Sequence, residues 1–275
     1  MLTLDGVSAP ETPGAAARVL GFVRPWAYGA SRAAYLFAVG WTRWKNRAAI
    51  VEICRELGYD YSAREKSEVP TVSMTNLVPD ASLLDVREID AVDGNVTERE
   101  LVSICRLVRS EAPASIFEIG TFDGRTTVNL AVNAPRDAHV HTLDLPRESI
   151  EDLGTPIHPH EVRYADKQRS GSRFVNTEVA TRITQHYGDS ATFNFDPFYN
   201  NMDFVFIDGS HAYEYVVNDS LHAVRMLQNG IGMVLWHDYS RWDGVTRAVN
   251  DLRRFDERFR GVRWIEGTTL ACLKR

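Results

Sequence analysis

The chain has 275 residues, 44% of them hydrophobic and 25% charged, close to the globular average, which excludes a collagen-like, low-complexity or wholly disordered polymer. Thirty-one Lys and Arg against thirty-seven Asp and Glu leave a formal charge of −6, so the balance favours small ligands and no nucleic acid. Cys54, Cys105 and Cys272 form no CxxC pair and no segment has the layout of a secretory leader, so the expectation is reduced thiols and a cytoplasmic, at most membrane-peripheral, location.

The most apolar stretch runs from Pro25 to Trp44. Arg32 and Arg43 bracket ten uncharged residues within it, about half a bilayer span. Trp26, Trp41 and Trp44 stand beside Arg24, Arg32, Arg43, Lys45 and Arg47, a composition that suits a helix lying on an anionic membrane surface, with residues 22–47 as the contact. Packing of the same helix on the main domain or on a second subunit is the more ordinary reading, so a homo-oligomer stays open. Ala48 to Leu57 repeats apolar residues at helical spacing and Gly58 supplies a stop. Residues 59–82 read as irregular. A boundary near residue 70 divides an N-terminal helical extension, 1–70, from a main domain, 71–275.

From Thr97 the pattern becomes regular. Thr97-Glu-Arg-Glu100 has the form of a capping box, and Leu101, Ile104, Cys105 and Val108 follow on one helical face that ends before Pro113. Ser115 to Ile119 reads as a strand stopping at Gly120, and Arg125 to Val132 as the helix after a glycine turn. Val140–Leu143, Phe204–Ile207 and Gly232–Trp236 are further buried strands, with helices at Tyr213–Gln228 and Gly244–Phe255 between or after them. Val262–Ile265 and Leu270–Leu273 flank Gly267 as a closing hairpin. This alternation predicts an α/β, Rossmann-like, doubly wound and mostly parallel sheet with a C-terminal antiparallel hairpin. The strands at 140, 204 and 233 end in Asp144, Asp208 and His237-Asp238, at the sheet edge where open α/β folds bind ligands.

Glu118-Ile-Gly120-Thr-Phe-Asp-Gly124 departs from the G-x-G-x-x-G spacing of a dinucleotide site. Its acid would repel a pyrophosphate but suits a cationic ligand, and Asp144 is placed to accept two hydrogen bonds from a ribose diol. The segments GTFDGRTT, IDGSHAYE and WHDY, in this order, are similar to those of class I S-adenosylmethionine-dependent methyltransferases. The chain from about residue 97 onward resembles in particular the small-molecule O-methyltransferases that include the macrolide-sugar enzymes. The resemblance implies S-adenosyl-L-methionine as cofactor. Glu118, Gly120 and Gly124 would surround its methionine part, with Thr121, Phe122 and Thr126 of the same loop. Asp144 and Leu145 would hold the ribose, and Asp189 and Ser190 would lie near the adenine.

A methyl group leaving a sulfonium needs little acid help, so the difficulty is to make a hydroxyl nucleophilic, by a base or a metal. A histidine of ordinary pKa can take that proton at neutral pH, which makes His211, three residues after Asp208, the base candidate. In the resembling sugar O-methyltransferases this D-x-x-H pattern carries a metal-binding acid and a catalytic histidine. The same enzymes have two acids where this chain has His237-Asp238. The candidate metal ligands are therefore Asp208, His237 and Asp238. Magnesium prefers oxygen ligands, and the imidazole shifts the set toward manganese, iron or zinc; without a metal, Asp238 orients a histidine instead.

The polar segment 146–176, with His158, His160, Lys167, Arg169 and Arg173, is long enough to be a functional loop. Phe193, Phe195, Phe198 and Tyr199 suit core packing better than an acceptor pocket. The function expected is O-methylation of a small molecule such as a sugar, polyol or natural product. The alternatives are a non-catalytic binding module at a membrane surface and, less favoured by the glycine spacing, a nicotinamide-dependent oxidoreductase.

Overall fold

Phe204–Ile207 and Met233–Trp236 are buried at every position, and only a sheet covered on both faces accommodates such unbroken apolar runs. A computed structural model describes residues 15–42, 46, 50, 65–79, 83–153, 164, 167 and 169–275. Of the helix expected at 48–57 only residue 50, which is helical, is described; Cys54, His158 and His160 lie outside the described residues. The chain divides into two units, Met1–Arg64 and Glu65–Arg275. The first contains helix α1, Ala15–Ala38.

The second unit carries, in chain order, β1 (Thr71–Val72), α2 (Met74–Leu77), α3 (Glu98–Glu111), β2 (Ser115–Ile119), α4 (Arg125–Asn133), β3 (His139–Asp144) and β4 (Ile183–Tyr187). Then come β5 (Phe204–Ile207), α5 (Tyr213–Met226), β6 (Met233–Trp236), α6 (Asp243–Phe255), β7 (Arg263–Ile265) and β8 (Ala271–Lys274). Among the described residues the strands form one sheet in the order β1-β7-β8-β6-β5-β2-β3-β4. The pairs from β4 to β6 are parallel, and β8 lies antiparallel to both β6 and β7, as the predicted closing hairpin requires. Two strands go beyond the sequence expectation: β4, and β1, which pairs parallel to β7 out of a segment read as irregular. Phe195 and Phe198 are buried in the core, in agreement with their packing role.

The helices owe their positions to polar as well as apolar contacts. The capping box of α3 is present: Thr97 Oγ accepts from the Glu100 N–H while Glu100 accepts from the Thr97 N–H at 2.9 Å. On α4, Arg125, Asn129 and Asn133 recur every four residues on one buried face. Asn129 accepts from the Arg87 N–H and donates to the Arg87 C=O, both at 2.9 Å. Asn133 does the same for Asp85, at 3.1 and 2.7 Å. Residues 85 and 87 are two apart, as in a strand, so the helix face stands in for a neighbouring strand. The Arg125 guanidinium completes this strap with bonds to the carbonyls of Glu88, Ile89 and Val96 at 2.7 to 2.8 Å.

At the C-terminal edge of the sheet each strand end is bonded to the next. Gly120 N–H donates to Leu143 C=O at 2.8 Å, Asp208 N–H to Ile119 C=O at 2.8 Å, and His237 N–H to Ile207 C=O at 3.0 Å. This aligns Asp144, Gly120, Asp208 and His237 along one rim. Gly120 has φ +99° and a Cβ there would stand 2.0 Å from the Asp208 carbonyl oxygen, so only glycine lets the two strand ends approach.

Candidate active site

The cofactor side is built around the turn after β2. Glu118 is fully buried beneath it, one carboxyl oxygen accepting from the Thr127 and Thr142 hydroxyls and the other without a partner. Burial pushes its pKa up to about 8, which works against the anionic role toward a cationic ligand expected of it. Thr121 and Thr126 are also buried, Phe122 has φ 49°, and Gly124 has φ +89° where a Cβ would strike Phe174 and Gly171. The cradle that the two glycines form is therefore tightly packed, with the Asp208 carbonyl against Gly120 and with Gly171 and Phe174 against Gly124. Asp144 accepts from the Ser170 hydroxyl and pairs with Lys167 Nζ at 2.8 Å. Leu145 follows it directly. The Gly188 N–H donates to the Asp144 carbonyl at 3.0 Å, which brings the turn carrying Asp189 and Ser190 to the end of β3. The Asp189 carboxylate caps that turn through the Ala191 N–H at 2.9 Å.

The acceptor side lies at the ends of β5 and β6. His211 Nε2 meets Asp238 Oδ2 at 2.7 Å, and its ring lies flat on Trp242 with centroids 4.4 Å apart. Gly244, at the start of α6, permits this closeness, because a Cβ there would stand 2.2 Å from the His211 carbonyl oxygen. Asp238 has φ 62°, a left-handed conformation that a non-glycine residue adopts at a cost and that is concentrated at functional sites. His237 Nδ1 faces Asp208 Oδ1 at 2.9 Å and Asp238 Oδ2 at 3.1 Å, while its Nε2 faces Glu100 Oε2 at 3.3 Å.

Glu100, read from the sequence only as a cap, is thus a member of the site. Its second oxygen accepts from the Thr269 N–H at 2.7 Å and hydroxyl at 2.8 Å, tying α3 to the start of β8. Lys167 and Ser170 on Asp144, and Trp242 under His211, are the other residues whose place in the site the sequence did not disclose. The capping-box spacing was the one available signal for Glu100, and it accounted for the acid locally.

Two buried carboxylates, Glu100 and Asp238, and the half-buried Asp208 therefore face two imidazoles. Burial by itself would lower the His237 pKa, but Asp208 and Asp238 outweigh it and hold the ring well above its ordinary value. Burial would likewise raise Glu100 and Asp238, but the facing histidines outweigh it, with help at Glu100 from backbone N–H groups, and hold both below the usual carboxylate range. Asp208 is raised by burial, against the pull of His237. Donor atoms of Asp208, His211 and Asp238 lie within 4.8 Å of one another, close enough for one metal ion to bridge. His237, expected as a ligand, is not in that set: its two ring nitrogens face Asp208 and Asp238 on one side and Glu100 on the other, and His211 takes its place.

Residues 117–239 match the family model described as a methyltransferase domain. No curated protein sequence matches the chain. Among solved structures the chain is similar to the O-methyltransferase TomG from Streptomyces achromogenes, involved in tomaymycin synthesis and determined with SAM. The identity is 16% over 80% of this chain and 95% of that one, with a TM-score of 0.47. An O-methyltransferase from Bacillus cereus, determined with SAH, is 12% identical over 82% of this chain and 97% of that one, with a TM-score of 0.43. The O-methyltransferase NovP is 17% identical over 65% and 80% of the two chains, with a TM-score of 0.49.

Proposed function

We propose that this chain, whose residues 117–239 are a class I S-adenosylmethionine-dependent methyltransferase domain, transfers a methyl group to a hydroxyl oxygen of a small molecule such as a sugar, polyol or natural product. The observation that carries the reading is the His211–Asp238 pair, 2.7 Å apart on the same sheet rim as the glycine cradle and Asp144. A histidine oriented by a buried carboxylate is the arrangement that removes a proton from a hydroxyl.

S-adenosylmethionine supplies a methyl group on a positively charged sulfur, which departs as a neutral thioether. The cradle at Gly120 and Gly124 would face its methionine part once Gly171 and Phe174 draw back, and Asp144 suits the two ribose hydroxyls once Lys167 and Ser170 give way. Asp189 and Ser190 stand at the adenine end. Held by Asp238 through Nε2, the His211 ring takes the acceptor's hydroxyl proton. Asp238 stabilises the imidazolium that forms, and Trp242 fixes the ring plane. A divalent ion would be held by Asp208 and Asp238, whose oxygens converge with His211, and would lower the pKa of a hydroxyl beside it. Most of the rate enhancement comes from holding oxygen, methyl carbon and sulfur in line.

His211→Ala is expected to lower turnover by about 10² to 10⁴-fold and Asp208→Asn to lower it strongly, while calorimetric titration with S-adenosylhomocysteine still reports binding. Wild-type rates in both variants would overturn these assignments.

A further inference from the structure

Helix α1 holds features that methyl transfer does not use. Between Glu11 and Glu52 the sequence has no acidic residue, yet it carries Arg18, Arg24, Arg32, Arg43, Lys45 and Arg47, in a chain whose total charge is −6. At 3.6 residues per turn, Trp26, Ala30, Ala33 and Phe37 fall on one face of α1, and Phe22 continues that spacing toward the N-terminus. Positions 24, 28, 32 and 35, occupied by Arg, Tyr, Arg and Tyr, fall on the opposite face. Trp26 is 67% exposed and Phe37 45%, so the apolar face presents large side chains to solvent. The Arg32 guanidinium lies over the Tyr28 ring at 5.1 Å, where it covers the aromatic without losing its charge.

We propose that α1 lies in the surface of an anionic membrane, with Trp26 and Phe37 among the acyl chains and the arginines at the headgroups. Wide apolar and basic faces and interfacial tryptophan are the features of helices that lie on a bilayer. The charge decides between lipid and a second copy of the chain. A second copy seated on the apolar face would leave the cations of the opposite face without a counter-charge, since the segment has no acid to offer, whereas anionic headgroups take the apolar face and neutralise the cations together. No helix among the described residues is long and apolar enough to cross a membrane, so the contact is with one leaflet. The membrane would hold the enzyme beside an acceptor that partitions into or leaves the bilayer.

Flotation of the full chain with vesicles tests this. Vesicles containing about a third phosphatidylglycerol are expected to carry the protein while pure phosphatidylcholine vesicles do not, and raising salt from about 0.1 to 0.5 M should release it. Arg24→Gln and Arg32→Gln should each weaken binding about fivefold, and Trp26→Asp with Phe37→Asp should abolish it, with thermal melting unchanged as the folding control. Absence of binding to the anionic vesicles overturns the proposal. So does self-association in light scattering that the Trp26→Asp, Phe37→Asp variant abolishes while vesicle binding stays absent, since that outcome assigns the face to a second copy.

Discussion

At the scale of single residues, the site divides into groups that the sequence discloses and groups that only the fold brings in. Asp208, His211, His237 and Asp238 were legible because each sits just beyond a short apolar strand, where the chain must reach the sheet rim. Lys167 and Glu100 were not, because their partners Asp144 and His237 are set by tertiary contact and not by spacing. Lys167 and a ribose would use the same carboxylate. Lys167→Ala is therefore expected to tighten S-adenosylhomocysteine binding several-fold in calorimetry, whereas Asp144→Asn should weaken it. Glu118 adds a pH dependence of stability. Its folded pKa of about 8 lies above the ordinary value of 4.5, so the folded state holds a proton that the unfolded state releases across that window. Its contribution is complete below pH 4.5 and is lost as pH rises toward 8. Glu118→Gln should flatten this part of a stability-against-pH curve, which chemical denaturation at several pH values will measure.

At the scale of elements, the strands and helices that pack apolar faces were readable from periodicity, and those held by polar contacts were not. β4, with the sequence ITQHY, is an edge strand only partly covered, so it lacks the apolar run that marks β5 and β6. One face of the β3–β4 pair carries His139 and His141 of β3 and His186 of β4, with His141 Nδ1 3.1 Å from His186 Nε2. The strap at residues 85–96 was equally silent, because its backbone bonds go to asparagine and arginine side chains of α4. Asn129→Ala removes both partners of the Arg87 backbone at a buried helix face. A loss of about 2 to 4 kcal/mol is expected, read as a lower midpoint in urea unfolding. The same variant should also weaken cofactor binding, since α4 begins at Gly124 in the cradle.

At the scale of the whole molecule, the sheet and the family match at 117–239 both fall within the unit 65–275, while residues 1–64 form a unit of their own. The alternation of strands and helices was sufficient to predict the mostly parallel sheet and its antiparallel end, because each buried strand must be covered on both faces. The acceptor was not predictable from the same pattern, since loops and side chains at the rim select it and the fold does not.

The central claim is oxygen methylation through His211. A mass-spectrometric screen of hydroxyl-bearing small molecules, run with S-adenosylmethionine and with wild-type and His211→Ala protein in parallel, tests it most directly. The account predicts an acceptor that gains one methyl group on oxygen with the wild type and gains none with the variant. Methylation on nitrogen or carbon, or equal product from the two proteins, would contradict it.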